Sequence, residues 1–503
     1  MKIIPVLGTL LFMLISISMY GNGIQVSDIK IIDGSAVEIH ISWQNSWNTP
    51  GIAPNNKDGA WFFMKYRDAG SGSFRPLVFS PDSTAHRLVF GNLLIKSVKE
   101  KTGVLVSIKS NTAGIADGII ALSLESPLPP GNYDFRAFAV EMVYVPAGPF
   151  YLGDSISNYS FAESSFQDNC SPLFVSQGAA DLILHDVNLP GMPSGPLQSY
   201  NVPQAFPFGN KAFWLMKYEI SQQQFADYLN TLNREEQEAQ IHIRASDLKK
   251  GAYAMVPPGA NPTRNGIIIS AEPAEGQALI FACNANNNSD FNDSTDGQSR
   301  ACNWLSWHNT ASFLAWAGLR PITEPEYEKA CRGPISFKPK ELAWGTDSMV
   351  VAVNLIADGS EKESVVEKGK AGAGLCRSAL PAGQAYSPGP ARCGFAASGI
   401  SSRAEAGAGY YGAMELSGNL WEPVISLKEG TEFLGTQNGI QNPDWPAADA
   451  KGVILRGGSW LSLMFNSFTY PFRDGAVSDR FYRDLKFNDY RSTTGGRGGL
   501  SDE

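Results

Sequence analysis

The sequence is short of histidine, of charge and of any basic surplus. Five histidines, His40, His86, His185, His242 and His308, are scattered over 503 residues, which argues against a histidine-rich metal site. Charged residues make up only 18 % of the chain, and Lys+Arg 40 against Asp+Glu 49 leaves a formal net charge of -9. That balance lacks the basic face which a nucleic acid or an anionic membrane would select. Long apolar runs are missing after residue 23, so no transmembrane span is expected in the mature chain. Cysteine is sparse: Cys170, Cys283, Cys302, Cys331, Cys376 and Cys393, none of them in a Cys-x-x-Cys pair. Zinc ligation is therefore a poor reading. An even number of cysteines in an exported chain permits disulfides, whose pairing the spacing alone does not choose.

What is present points to a loop-rich globular protein. Hydrophobic residues are 43 % of the chain, enough for a sizeable core, and Gly 50 with Pro 31 stands beside Trp 11, Tyr 17 and Phe 27. This texture suits irregular structure held by aromatic packing, not a long helical bundle or a doubly wound sheet. Residues 1–23 read as a signal peptide: Lys2 is the positive start, Ile3 to Met19 the apolar stretch, and Gly21 and Gly23 the small residues for cleavage. Residues 24–140 read as a β-sandwich. Val37 to Trp43 alternates apolar with polar at period two, and Ala60 to Tyr66 is a second, more buried run. His86 to Phe90, Val104 to Ile108 and Tyr133 to Val140 continue the series. From residue 141 to 499 short strands alternate with a few short helices, so the fold class is α+β. Ser221 with Gln224 and Thr323 with Glu326 fit capping boxes, and Pro325 suits a first turn. Residues 235–276 and 338–408 look like surface insertions. Residues 284–296, rich in Asn and Asp, read as a solvated loop, with Cys283 and Cys302 placed to tie its base.

Four blocks follow one another in the second region. Met142 to Phe150 leads to Gly153-Asp154. Lys217-Tyr218-Glu219-Ile220-Ser221 comes next. Trp304 to Trp307 then runs through Trp316-Ala317-Gly318-Leu319-Arg320-Pro321-Ile322-Thr323-Glu324 to Ala330-Cys331-Arg332-Gly333. Last come Tyr411 to Glu422 and Leu455-Arg456-Gly457-Gly458-Ser459-Trp460. Together these resemble the formylglycine-generating enzyme, or sulfatase-modifying factor, family over residues 141–499. The resemblance implies an elaborated C-type-lectin-like fold with bound calcium. Ile41 to Trp47 with Trp61 to Tyr66 looks like the β domain that precedes this module in some exported bacterial proteins.

The resemblance also carries a test of chemistry. Enzymes of this family oxidise a sulfatase cysteine to formylglycine with two copper(I)-binding cysteines just after the Arg-Gly-Gly-Ser-aromatic block. Thiolates are soft ligands suited to copper(I). Here the two positions fall on Ser462 and Ser467, so copper is not expected and no catalytic residue is assigned. A related branch holds iron with histidines on a separate helical domain, which this chain lacks, and His308 is not expected to bind metal. Calcium needs only oxygen ligands. The resemblance implies two sets, the Asn354 side chain with the Leu355 carbonyl, and Asn419 with Glu422. Residues 489–499 depart from the family's closing strand and read as a glycine-rich final turn.

These features lead to the expectation of an exported protein, periplasmic, outer-surface or extracellular, that keeps the family's fold without its oxidase chemistry. Arg456, Ser459 and Trp460 would line its binding cleft for a protein or peptide partner. Related modules occur in secretion and gliding machinery, which implies an envelope assembly as one setting. The alternatives are a formylglycine-generating enzyme with an altered active site and a ligand-binding protein diversified by a retroelement.

Overall fold

The computed structural model describes residues 23–502 apart from 71, 158, 164–170, 179–180, 187–198, 273, 380–387, 463–473 and 484–487. Of the expected leader only Gly23 falls within the described residues; Cys170 and Ser467 also lie outside them. The N-terminal region is built from β1 (Gln25–Ile32), β2 (Ala36–Asn48), β3 (Asp58–Asp68), β4 (Arg75–Pro76), β5 (Arg87–Gly91), β6 (Leu93–Ser97), β7 (Val104–Ile108), β8 (Thr112–Ser123) and β9 (Tyr133–Val145). One sheet has the order β1-β2-β8-β5. The alternation in β2 buries Val37, Ile39, Ile41 and Trp43. These residues share a core with Ala60, Phe62 and Met64 of β3 and with Val104, Val106 and Ile108 of β7.

β3 reads as a continuous apolar run because both of its faces are covered. Its other face carries Trp61 and Phe63, which join Phe138, Val140 and Met142 of β9 in a second core. Trp316 packs edge-on against Phe63 and Phe138, with ring centres 5.1 and 4.7 Å away. The second sheet runs from Gly499–Ser501 through Phe213–Met216, β9, β3 and β7 to β6. β9 pairs with β3 and then with Phe213–Met216, so residue 140 lies inside one strand shared by both regions.

Four helices occur among the described residues: α1 (Gln222–Leu229), α2 (Arg234–Gln240), α3 (Trp307–Ala317) and α4 (Glu324–Arg332). The capping boxes at Ser221/Gln224 and Thr323/Glu326 are both formed, and Asn233/Glu236 and Ser306/Asn309 make two more. No helix among the described residues is long and apolar enough to cross a membrane.

Residues 489–498 are turn and loop, as expected, and a closing strand, Gly499–Ser501, follows and pairs with Phe213–Leu215. Gly495, Gly496 and Gly498 are there for close packing, since an added Cβ would come within 2.6 Å of Leu420, 2.6 Å of Thr310 and 2.2 Å of Leu314. Two local expectations are revised. Residues 338–408 are not a bare surface insertion, because Ser348–Val351 pairs with Ala373–Cys376 and the buried Trp344, Cys376 and Arg377 anchor the segment. Cys283 and Cys302 are buried free thiols, as are Cys331, Cys376 and Cys393.

Candidate functional site

The two parts of the fourth sequence block meet in space. Glu422–Ile425 pairs antiparallel with Val453–Arg456, which sets Glu422 opposite Arg456. The chain then bends at Gly457 and Gly458, both in the left-handed region at φ 89° and 74°. A Cβ on Gly457 would lie 2.9 Å from the Leu416 carbonyl. Only glycine satisfies both the angle and the approach. The bend delivers Trp460, whose backbone N–H donates to the Asn419 carbonyl at 2.8 Å and whose indole N–H donates to the Ser492 carbonyl at 3.0 Å.

Ser459 and Ser462 form a closed hydroxyl turn. The Ser459 N–H donates to Ser462 Oγ at 3.0 Å, the two hydroxyl oxygens are 3.3 Å apart, and the Leu461 N–H donates to Ser459 Oγ at 3.2 Å. The Ser462 hydroxyl also bonds to the carboxyl group of Asp474. Burial pushes that carboxyl up to about 6, and the Ser462 bond opposes the rise. Asp474 Oδ1 and Ser378 Oγ are buried without a hydrogen-bond partner among the described residues. The polar groups at this turn are thus hard oxygen atoms.

These donors do not fit copper(I). A hydroxyl is hard and stays protonated near neutral pH, whereas the metal favours a thiolate. Four of the free thiols are held protonated as well: burial pushes Cys283, Cys302, Cys331 and Cys393 above their ordinary value.

Arg456 takes a place other than the cleft wall expected for it. Its guanidinium is fully buried and donates to Glu324 at 3.1 Å, to Glu328 at 2.6 Å and to the Val477 carbonyl at 2.7 Å. It lies over the Tyr327 ring, 5.2 Å from its centre. Arg456 therefore pins the Val453–Arg456 strand to α4. Arg480 extends the network to Glu324 and Asp186, and Arg332 links Glu328 to Glu341. Each ion meets more than one partner, which such deep burial requires.

The two expected calcium sets differ in their fitness. Asn419 is fully engaged: its Oδ1 accepts from the Ala391 N–H at 2.8 Å and its Nδ2 donates to Glu219. Both Glu422 oxygens accept from Arg497, at 2.8 and 2.9 Å. The positive charge there is already a guanidinium, so this set does not fit calcium. Asn354 is exposed and donates to the Glu367 carboxylate at 2.7 Å. Leu355 follows it at the start of the pair Leu355–Ile356 with Ser364–Val365. Surface oxygen donors with one carboxylate suit calcium in type.

Some site residues escaped the sequence reading. Glu219 accepts from the Asn419 side chain and from the Leu420 N–H, and so joins the second sequence block to the fourth. Burial first, and then the charges of Glu422 and Glu415, push Glu219 well above the carboxylate range. Burial likewise pushes Glu415 up to about 7, with Arg497 and the Gly394 N–H opposing the rise. Glu219 stood inside a quoted block, which was the available signal. Arg497, hidden among glycines, and Asp474, outside every block, gave none.

Two comparisons bear on identity. The sequence profile of the family described as sulfatase-modifying factor enzyme 1-like domain matches residues 134–487. A comparison with curated proteins finds no match. The profile covers well over half of the chain, begins in β9 and takes in the Arg456–Ser462 bend, and on that ground the chain belongs to the sulfatase-modifying factor enzyme 1-like family.

Proposed function

We propose that this protein is a non-catalytic binding or structural member of its family, exported through its N-terminal leader and serving a protein or peptide partner in the cell envelope. One observation carries the reading. At Ser462, where the family's oxidase chemistry needs a thiolate, a hydroxyl is bonded to Ser459 and Asp474. That arrangement supplies oxygen donors and no soft ligand. Ser467 repeats the substitution in the sequence. The test is to incubate the purified protein with copper(I), oxygen and a Cys-x-Pro-x-Arg peptide and to look for the aldehyde by mass spectrometry. Unchanged peptide is expected; turnover to aldehyde overturns the reading.

Calcium, in this reading, is a structural ligand of the Asn354–Leu355 segment with Glu367, and it ties down the loop on which they sit. Millimolar calcium is then expected to raise the thermal midpoint of the intact protein. The rise disappears in Glu367→Gln and persists in Asn419→Ala, as thermal denaturation followed by circular dichroism will show. A rise retained in Glu367→Gln rules out this assignment.

A further inference from the structure

A second cleft, of about 160 Å³, lies between the loop after α4, the turn at Trp344 to Thr346 and the segment around Arg403 and Tyr410. It shares no lining residue with the Ser459–Ser462 turn. Two aromatic side chains, Trp344 and Tyr410, contribute to its walls. Three cations line it: Arg332, which is paired with Glu328 and Glu341, and then Arg403 and Lys338. Arg403 lies over the Tyr410 ring, 5.7 Å from its centre, and donates to the Ala408 carbonyl at 2.9 Å. Lys338 donates to the Gly345 carbonyl at 2.8 Å. A guanidinium has five N–H donors and an ammonium three, so one carbonyl apiece leaves most of them unused.

The charge around Arg403 and Lys338 is not balanced. Among the described residues neither meets a carboxylate. The acid in the lining, Glu341, is closed on Arg332, which also holds Glu328. Burial holds the Arg403 guanidinium below its ordinary value, and Tyr410 is the one neighbour that acts against this. At the cleft's rim Ile335 is 49 % exposed. Two residues on, Phe337 packs against Tyr151, which packs against the exposed Phe174. An apolar approach therefore leads to a cationic, aromatic-walled cleft. Its volume is well below the roughly 300–1,000 Å³ of sites for drug-sized ligands, so the occupant is a fragment-sized group.

We propose that this cleft binds a small carboxylate with an aromatic body, the carboxylate on Arg403 and Lys338 and the body against Trp344 and Tyr410. The planar fork of arginine matches a carboxylate in two parallel hydrogen bonds. Such a group is presented either by a free aromatic acid or by a peptide chain ending in phenylalanine. The proposal is independent of whether the serine site is catalytic.

The test is a ligand-observed saturation-transfer NMR titration of the full protein with phenylacetate, phenylacetamide, inorganic phosphate and an acetylated tripeptide ending in phenylalanine. Phenylacetate is expected to bind with a Kd on the order of 1 mM, as suits a ligand of this size. Phenylacetamide binds at least tenfold more weakly, and phosphate, which lacks the aromatic body, also binds more weakly. Arg403→Gln and Lys338→Gln each weaken phenylacetate severalfold, and Arg403→Lys falls between wild type and Arg403→Gln. Lys338 is exposed, and Arg403 keeps exposed surface although its guanidinium is largely covered; unchanged thermal midpoints will confirm that the variants are folded. A tripeptide that binds more tightly than phenylacetate assigns the site to a chain terminus; one that binds no better assigns it to a free acid. Equal binding of phenylacetamide, or unchanged binding in both glutamine variants, overturns the proposal.

Discussion

Replacing Arg497 with methionine is expected to cost the fold about 3–5 kcal/mol at pH 7.5, the range for removing one partner of a buried ion pair. The guanidinium is fully buried and makes two hydrogen bonds to Glu422, at 2.8 and 2.9 Å. It also donates to the carbonyls of Met216, Lys217 and Met414. Those bonds join the Phe213–Met216 strand, the Tyr411–Glu422 block and the end of the chain. Burial works against the arginine's charge, and Glu422, Glu219 and Glu415 more than offset it. Without Arg497 these buried carboxylates stand together, and among the described residues no other cation is paired with Glu422. Urea denaturation at pH 7.5 will measure the loss, and repeating it at pH 5.5 should recover part of it as the carboxylates take up protons. A loss below about 1 kcal/mol, the scale of an exposed pair, contradicts the role given to Arg497.

The second large effect is on the pH dependence of the wild-type protein. Glu415 stands at about 7 against an ordinary 4.5, and Asp227 at about 7 against 3.8, in both cases because burial disfavours the charged form. Glu415 Oε2 and Asp227 Oδ2 are buried without a hydrogen-bond partner among the described residues. Both folded values are raised, so the native state holds these protons more tightly than the unfolded chain. The stability they contribute is fully present below the ordinary carboxylate values and is lost as pH rises through about 7. At roughly 1.4 kcal/mol per unit, shifts of this size are worth up to about 3 kcal/mol for Glu415 and about 4 kcal/mol for Asp227. The protein should therefore unfold at lower urea at pH 8 than at pH 5.5. Glu415→Gln keeps the shape and removes the ionisation, so it should stabilise the protein most at pH 8, less at pH 5.5, and little once the pH falls below the ordinary carboxylate value. Equal stability of wild type and Glu415→Gln at pH 8 would show that Glu415 ionises there without penalty.

Much of this architecture could be read from local sequence. Period-two alternation marked β2, and the doubly covered β3 showed as a run without alternation. The capping boxes at Ser221 and Thr323 were legible because both partners lie three residues apart. The Arg456–Trp460 block was legible as a motif, and its two left-handed glycines explain why it persists as one. What could not be read were pairings across long separations. Arg456 looked like a cleft residue because nothing near it in sequence announces Glu324 and Glu328, which α4 supplies from more than a hundred residues away. The glycines around Arg497 signalled a turn, yet they are required by the close approach of Leu420, Thr310 and Leu314. Cys283 and Cys302 flank one loop, but flanking a loop does not bring two thiols into bonding geometry.

The exchange of thiol for hydroxyl after Trp460 is most directly tested by copper stoichiometry. Wild-type protein and the double variant Ser462→Cys, Ser467→Cys would be loaded with copper(I), challenged with a competing chelator and assayed for retained metal. Wild type is expected to retain none, and the double variant to gain copper through the restored thiolates. One tightly held copper ion in the wild-type protein contradicts the assignment of this chain as a non-catalytic member of its family.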